Sequence, residues 1–306
     1  MPRLRLAAFA ALAAGGLAAT AAVGAAPGPR LGGCPVFPAS NAWNRDVSRA
    51  PVDGRSDAYV RAIDSHGNHF LHADFGGGGA YGIPFRVVPR SQPRVPIRFT
   101  AYGDESDRGP YPIPPNAPVE AGSDRHVLVA QRGTCKLFEL YGAQRSGNGW
   151  AAGSGAVFDL RSNRQRPAGW TSADAAGLPI LPGLARYDEV RAGVIRHALR
   201  FTVEDTQRAY VAPARHLASS DPNPDLPPMG LRLRLKASYP LGRFHGASLV
   251  ILRALKRYGM LVADNGSSWF VTGAADRRWN DPDLNQLKTV PGSAFEAVRS
   301  GPLHRR

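Results

Sequence analysis

The segment LPILPGLARYDEVRAGVIRHALRFTV, Leu178 to Val203, condenses the character of the whole chain. It opens on a rigid apolar turn built from Pro179, Pro182 and Gly183, passes through the charged tetrad Arg186-Tyr187-Asp188-Glu189, and ends in Val194 to Val203. That last run alternates with the period of two expected of a half-buried strand, placing His197, Leu199 and Phe201 on one face and Arg196, Ala198 and Arg200 on the other. Acids, a tyrosine, arginines and a histidine therefore fall close together beside a strand.

Outward from that segment the chain reads as strands and turns. Ser123 to Gln131 and Lys136 to Tyr141 form a hairpin across Arg132-Gly133-Thr134. Alternation puts His126 and Leu128 on one face and, in the partner strand, Glu139 with Tyr141. Leu231 to Tyr239 alternates cleanly, which predicts a half-buried strand with Arg232, Arg234 and Lys236 on a basic outer face. Ala247 to Tyr258 carries an i, i+3, i+4, i+7 apolar stripe closed by Gly259 and is the best helix of the chain. Shorter helices are expected at Ala58 to Ile63 and from Asp281 to Leu287, and a last edge strand at Phe295 to Val298. Asp264-Asn265-Gly266 reads as a hairpin turn joining Met260–Ala263 to Ser268–Thr272. The 34 glycines and 27 prolines are spread throughout and favour many short strands. The expected architecture is mainly β: an antiparallel β-sandwich of jelly-roll type with long loops and one packed helix, the alternative being a decorated β-barrel.

Met1 to Ala25 has a basic start at Arg3 and Arg5, an Ala/Leu core and small residues at its end, the pattern of a secretory signal. Residues 26–306 are then expected as one β-rich domain, secreted or periplasmic, with no stable membrane insertion. Leu31-Gly32-Gly33-Cys34 has the look of a lipobox, but Pro27, Pro29 and Arg30 separate it from the apolar core. Cys34 and Cys135 are the only cysteines, and in an exported chain a single disulfide between them is the simplest reading. Loss of Arg3 and Arg5 takes the formal charge from +14 to +12, a balance that attracts anionic polymers. The basic residues are scattered and lack an aromatic-interleaved stripe, so a nucleic-acid partner is not expected.

Four clusters carry candidate chemistry. His126, Glu139, Asp124 and Tyr141 lie in the hairpin, where an imidazole and a carboxylate share a face. His197 and Arg200, with Asp188 and Glu189, belong to the opening segment and are expected to line the opposite wall, Trp170 offering a stacking surface nearby. His66, His69 and His72 are spaced by threes around a glycine, neither a helical nor a strand face, with Asp74 following, and a metal-dependent hydrolase using these four is the third reading. Asp104-Glu105-Ser106-Asp107 has calcium-type oxygens without EF-hand spacing. Gly-x-Ser-x-Gly, Walker, dinucleotide and His-Glu-x-x-His patterns are absent, and neither a cofactor nor a resident metal is expected.

The runs GWTSADAAGLPILPGL (Gly169 to Leu184), Arg186-Tyr187-Asp188-Glu189, His197 to Phe201 and YGMLVADNG (Tyr258 to Gly266) resemble those of exported bacterial proteins of unassigned function. The resemblance implies an exported domain and brings no activity with it. Signal, β-rich pattern, dispersed tryptophans and polar clusters together point to a carbohydrate-active enzyme, a glycoside hydrolase or polysaccharide lyase, acting on an envelope or environmental polysaccharide, an anionic one being favoured by the basic charge. Its alternative is a non-catalytic glycan-binding protein of the envelope.

Overall fold

The computed structural model describes residues 28–305, together with Met1; the rest of the expected signal segment lies outside the described residues. Strand outweighs helix, 27 % against 18 %. The strands form a six-stranded, a four-stranded, a three-stranded and a two-stranded sheet, and no barrel closes among the described residues.

The hairpin forms as expected. Val127–Gln131 pairs antiparallel with Lys136–Tyr141, Leu128 standing opposite Glu139. Ser154–Asp159 adds on one side and Phe85–Val88 on the other. The two faces of this sheet belong to different cores. Leu128 and Leu137 join the main cluster with Leu199, Phe201 and Val262, whereas Val127, Val129, Phe138 and Leu140 pack with Tyr111, Ile113 and Trp150. Burial on both faces explains why every residue of Val127–Gln131 is buried, although the sequence alternates only in size.

The six-stranded sheet runs Phe295–Ala297, Arg232–Leu235, Met260–Asn265, Leu199–Val203, Phe270–Thr272, His72–Asp74. Two of its pairings are parallel, Leu199–Val203 with Met260–Asn265 and Phe270–Thr272 with His72–Asp74. The four- and three-stranded sheets each hold a parallel pairing as well, so the antiparallel expectation gives way to mixed sheets.

Two local expectations are corrected. Asn265-Gly266 is not the turn of a hairpin: Leu199–Val203 lies between the two strands it was expected to join. A two-residue Asn-Gly turn of the favoured type requires positive φ at both positions, and neither Asn265 nor Gly266 has one. The chain instead passes over the end of Leu199–Val203, with Gly266 N–H donating to the Val203 carbonyl at 2.9 Å and Trp269 turning at φ 67°. Secondly, Arg232 and Arg234 are buried, not solvated. The segment 42–50 covers them. Arg232 donates to the Ala42 and Tyr258 carbonyls at 2.5 and 2.7 Å, and Arg234 pairs with Glu296 at 2.8 Å and donates to the carbonyls of Val47 and Ala50.

The expected helices appear as Gly246–Arg257, ended by Gly259 at φ 70°, and Ser56–Asp64; Asp281–Leu284 continues as a 3-10 turn, Asn285–Thr289. The charged tetrad Arg186 to Glu189, which reads as a connecting turn, enters a short helix, Tyr187–Arg191.

Cys34 and Cys135 are disulfide-bonded across 101 residues, fastening the start of the described chain to the hairpin turn. A loop of that length restricts the unfolded chain strongly. Replacing both cysteines with serine is expected to lower stability by about 2–4 kcal/mol. Urea unfolding measures it, and an unchanged midpoint would show that the bond staples nothing.

Candidate active site

A cavity of about 720 Å³ opens where the hairpin, the loop 171–175, the end of Met260–Asn265 and the segment 216–220 meet. Asp124, Tyr141, Asp174, Asp264 and His216 are among the residues that line it, with Tyr102, Ser154 and Asn265. The volume lies within the range of small-ligand sites.

Each carboxylate is placed by local structure. Asp124 sits where the chain enters the hairpin. Its carbonyl accepts from Gly142 N–H at 2.8 Å, and the next residue, Arg125, at φ 48°, accepts from Ala143 N–H at 3.1 Å. Asp174 lies in a tight loop in which the Ser172 hydroxyl donates to the Leu178 carbonyl at 2.6 Å and accepts from Asp174 N–H at 2.9 Å. Asp264 owes its direction to a β-bulge. Phe201 stands opposite Val262, but the next residue, Thr202, stands opposite Asp264, so Ala263 is surplus. With regular pairing Ala263 would share the face of Arg200 and Thr202; the extra residue puts Asp264 there instead.

Arg200, buried on that face, is the cation between the acids. One terminal nitrogen donates to Asp174 Oδ1 at 2.8 Å and lies 3.7 Å from Asp264 Oδ2; the other donates to Thr272 Oγ1 at 2.8 Å. Asp174 thus takes the close ion pair and Asp264 the distant one. Burial raises Asp264, the Asp174 charge raises it further, and Arg200 offsets this only in part, so it is pushed up to about 7. Burial also raises Asp174, against the pull of Arg200. Asp174 Oδ2 and Arg200 Nε are buried without a partner. Asp174 is closed off beneath the cavity floor, while Asp264 and Asp124 are partly exposed to it.

Behind the floor, His126 is clamped. Its Nδ1 lies 2.6 Å from Glu120 Oε2 and its Nε2 lies 2.9 Å from the Ala173 carbonyl. Both partners only accept, so both ring nitrogens carry protons and the ring is an imidazolium. Burial pulls its pKa down, but the hydrogen bond and charge of Glu120 prevail and hold it above the ordinary value. Glu139 is fully buried. Its carboxylate accepts from Ile180 N–H at 2.9 Å and Leu181 N–H at 2.9 Å, at the start of the turn Leu181–Gly183. Burial pushes it up to about 7 against those two hydrogen bonds.

The hairpin and the opening segment therefore do meet, through Glu139 and the Ile180 and Leu181 amides. Of the residues expected to act, Asp124 and Tyr141 face the cavity, and Arg200 lies under its acids. His126 and Glu139 share the hairpin face as expected but are committed to other partners. His197 is taken elsewhere: it is fully buried, with Nε2 3.0 Å from Glu189 Oε2 and Nδ1 2.7 Å from the Ala198 carbonyl. Glu189 and Asp188 line a different cavity, beside Arg278. Arg186 completes the buried Glu189 pair at 2.5 Å, while exposed Asp188 pairs with Arg278 at 2.9 Å. Trp170 lies under the Arg166 guanidinium, 5.5 Å from it, and not among the lining residues of the carboxylate cavity.

Among the described residues no group of three or more His, Cys, Asp and Glu side chains is arranged to hold a metal ion. His66 faces Asp205 at 2.9 Å, and His72 stacks on Phe270. The acidic loop is spent on structure: Asp107 and the Glu105 carbonyl hold Arg166, and the Glu105 carboxylate accepts from Thr171 N–H at 2.7 Å, anchoring the loop that bears Asp174.

Sequence reasoning missed Asp174, Asp264, Glu120 and His216. His216 donates from Nδ1 to the Ala175 carbonyl at 3.0 Å, which leaves Nε2 unbonded at the cavity wall. Asp174 and Asp264 stand within quoted runs, GWTSADAAGLPILPGL and YGMLVADNG, but nothing in their spacing shows that they share an arginine. No protein-family model, no curated protein and no solved structure matches the chain.

Proposed function

We propose that the protein is an exported glycoside hydrolase whose general acid is Asp264 and whose second carboxylate is Asp124. The observation that carries this reading is the unequal sharing of Arg200. Two acids beside one cation cannot both ionise freely, and the more open of the two, Asp264, keeps a proton near neutral pH. In the step proposed, Asp264 gives that proton to the glycosidic oxygen as the C–O bond breaks. Asp124 faces the positive charge that develops at the anomeric carbon. Water then adds to that carbon, and its proton returns to the carboxylate pair. Tyr102 and Tyr141 offer ring surface for a sugar, and Ser154 and Asn265 offer hydrogen bonds.

The accompanying architecture is a sandwich in which the hairpin sheet and the six-stranded sheet face each other across the carboxylates. Its support is the core that Leu128 and Leu137 share with Phe201 and Val262. Export is supported by the disulfide, and no helix among the described residues is long and apolar enough to cross a membrane.

The test is a panel of neutral and acidic polysaccharides assayed for new reducing ends. Turnover is expected with at least one of them, and Asp124→Asn is expected to lower it by about 10²-fold or more. Products with unsaturated ends would turn the reading to a lyase. Binding without release of ends, the same in Asp124→Asn, would make this a glycan-binding protein instead.

A further inference from the structure

A second cavity, of about 300 Å³, lies beside the first. The ridge between them is thin. Arg215 and His216 are consecutive, and the first lines the second cavity while the other lines the carboxylate cavity. Thr171 to Ala175 likewise face the carboxylates, whereas Arg166 and Gly177 to Pro179 face the neighbour.

The two cavities differ in charge. The first mixes three aspartates with Arg208 and Arg305, and Arg200 lies beneath two of the aspartates. The second has no Asp or Glu in its lining and four arginines: Arg45, Arg164, Arg166 and Arg215. Arg166 is neutralised by Asp107. The other three make no ion pair among the described residues. Arg215 hydrogen-bonds only the neutral Gln165, at 3.1 Å, and its Nε is buried with no partner at all. Arg232, behind Ala42, adds to the excess: it has carbonyl partners and no carboxylate, and burial together with Arg45 pushes it down to about 10. Trp43 and Phe158 give the same cavity an apolar floor. A solvated basic surface would disperse such charges. Here they converge on one concavity beside the carboxylates.

We infer that this second cavity is a subsite for an oxyanion borne by the glycan, so that the substrate is an acidic polysaccharide cut at one sugar while a carboxylate or sulfate on a neighbouring sugar is held by Arg45, Arg164 and Arg215. The inference rests on the hydrolase reading for the identity of the chain that carries the anion. Guanidinium forks suit carboxylate, sulfate and phosphate alike, and they bind best where no carboxylate of the protein competes. A net charge of +12 after signal removal attracts polyanions. The second cavity, whose arginines meet no Asp or Glu in its lining, is the concavity suited to hold such an anion.

The experiment measures binding by titration calorimetry on the full mature chain, so that turnover is not needed. Oligosaccharides of uronic acid, a sulfated oligosaccharide, neutral oligosaccharides of equal length, and free inorganic sulfate are compared at several salt concentrations. Wild type is expected to bind one acidic class at least tenfold more tightly than the neutral one, with affinity falling as salt rises. Arg45→Gln with Arg164→Gln, both exposed positions chosen to leave the fold intact, is expected to abolish that preference while neutral binding and the melting temperature hold. The two acidic arms tell carboxylate from sulfate; sulfate binding alone, without either glycan, would mark a free-anion site and overturn the proposal. Equal affinity for acidic and neutral chains, no binding of either, or a preference that survives the double substitution overturns it too. Turnover of neutral glycan without acidic preference removes the subsite alone. Arginine-dependent acidic binding with no turnover of any glycan removes the hydrolase reading alone.

Discussion

Asp264→Asn is expected to lower kcat on the glycan substrate by about 10²–10⁴-fold, the range contributed by a positioned general acid, while the melting temperature stays level or rises. The side chain is replaced almost atom for atom, and Oδ1 can still accept from Asn265 N–H, a contact of 2.8 Å. What disappears is the proton. Because Asp264 is pushed up to about 7, wild-type activity is expected to fall as pH rises through that value, and this limb should be missing from whatever activity Asp264→Asn retains. A level or higher melting temperature follows from the same cause. Asp264 ionises against the grain of Asp174 and its own burial, so a neutral side chain relieves a repulsion above pH 7. Normal turnover by the variant, or a basic limb unchanged in it, would remove Asp264 from the chemistry.

Glu139→Ala has its large effect on stability instead. Two buried N–H groups, of Ile180 and Leu181, depend on that carboxylate, and an orphaned buried donor costs about 1–3 kcal/mol. With the void left by the side chain, the expected loss is about 3–5 kcal/mol, read as a drop of roughly 10 °C in melting temperature. The pH dependence carries a second signature. Folding raises Glu139 from its ordinary 4.5 to about 7, so the folded chain holds this proton more tightly than the unfolded one. The resulting contribution is fully present below about pH 4.5 and is lost as pH rises through about 7; removing the residue should flatten that slope. Glu139→Gln should fall between, since an amide oxygen can satisfy one of the two donors. A variant that stays stable but inactive would return Glu139 to the list of acting groups.

These two carboxyls show what was legible in the sequence and what was not. Alternation placed Glu139 and His126 on one face, and the register of the hairpin agrees. The long helix and the disulfide were readable for the same reason: a periodic stripe and a pair of cysteines are local or countable signals. The partners of the site residues were not, because they come from far along the chain. Glu139 finds its amides 41 and 42 residues away, Arg200 its threonine 72 residues away. Asn265-Gly266 misled for a related reason. A turn preference is worth little once a strand from elsewhere, Leu199–Val203, takes the neighbouring place in the sheet. Arg232 and Arg234 looked solvated because a strand cannot announce that residues 42–50 will lie across it.

Ala263 has an importance out of proportion to its one methyl group. It makes no contact with substrate in any reading of the cavity, and its own side chain is buried in the main core. It sets a count. With it, the strand reaches Thr202 one residue late and an acid meets Arg200; with regular pairing the same acid would face the opposite side of the sheet, out of reach of the cation that shapes its titration. The acid is therefore specified twice, once by the chemistry of position 264 and once by the arithmetic of the residues before it. A relative that kept the aspartate but dropped one residue upstream would read as intact letter by letter and be disarmed in space, so the length of this strand is as diagnostic of the site as the carboxylate itself.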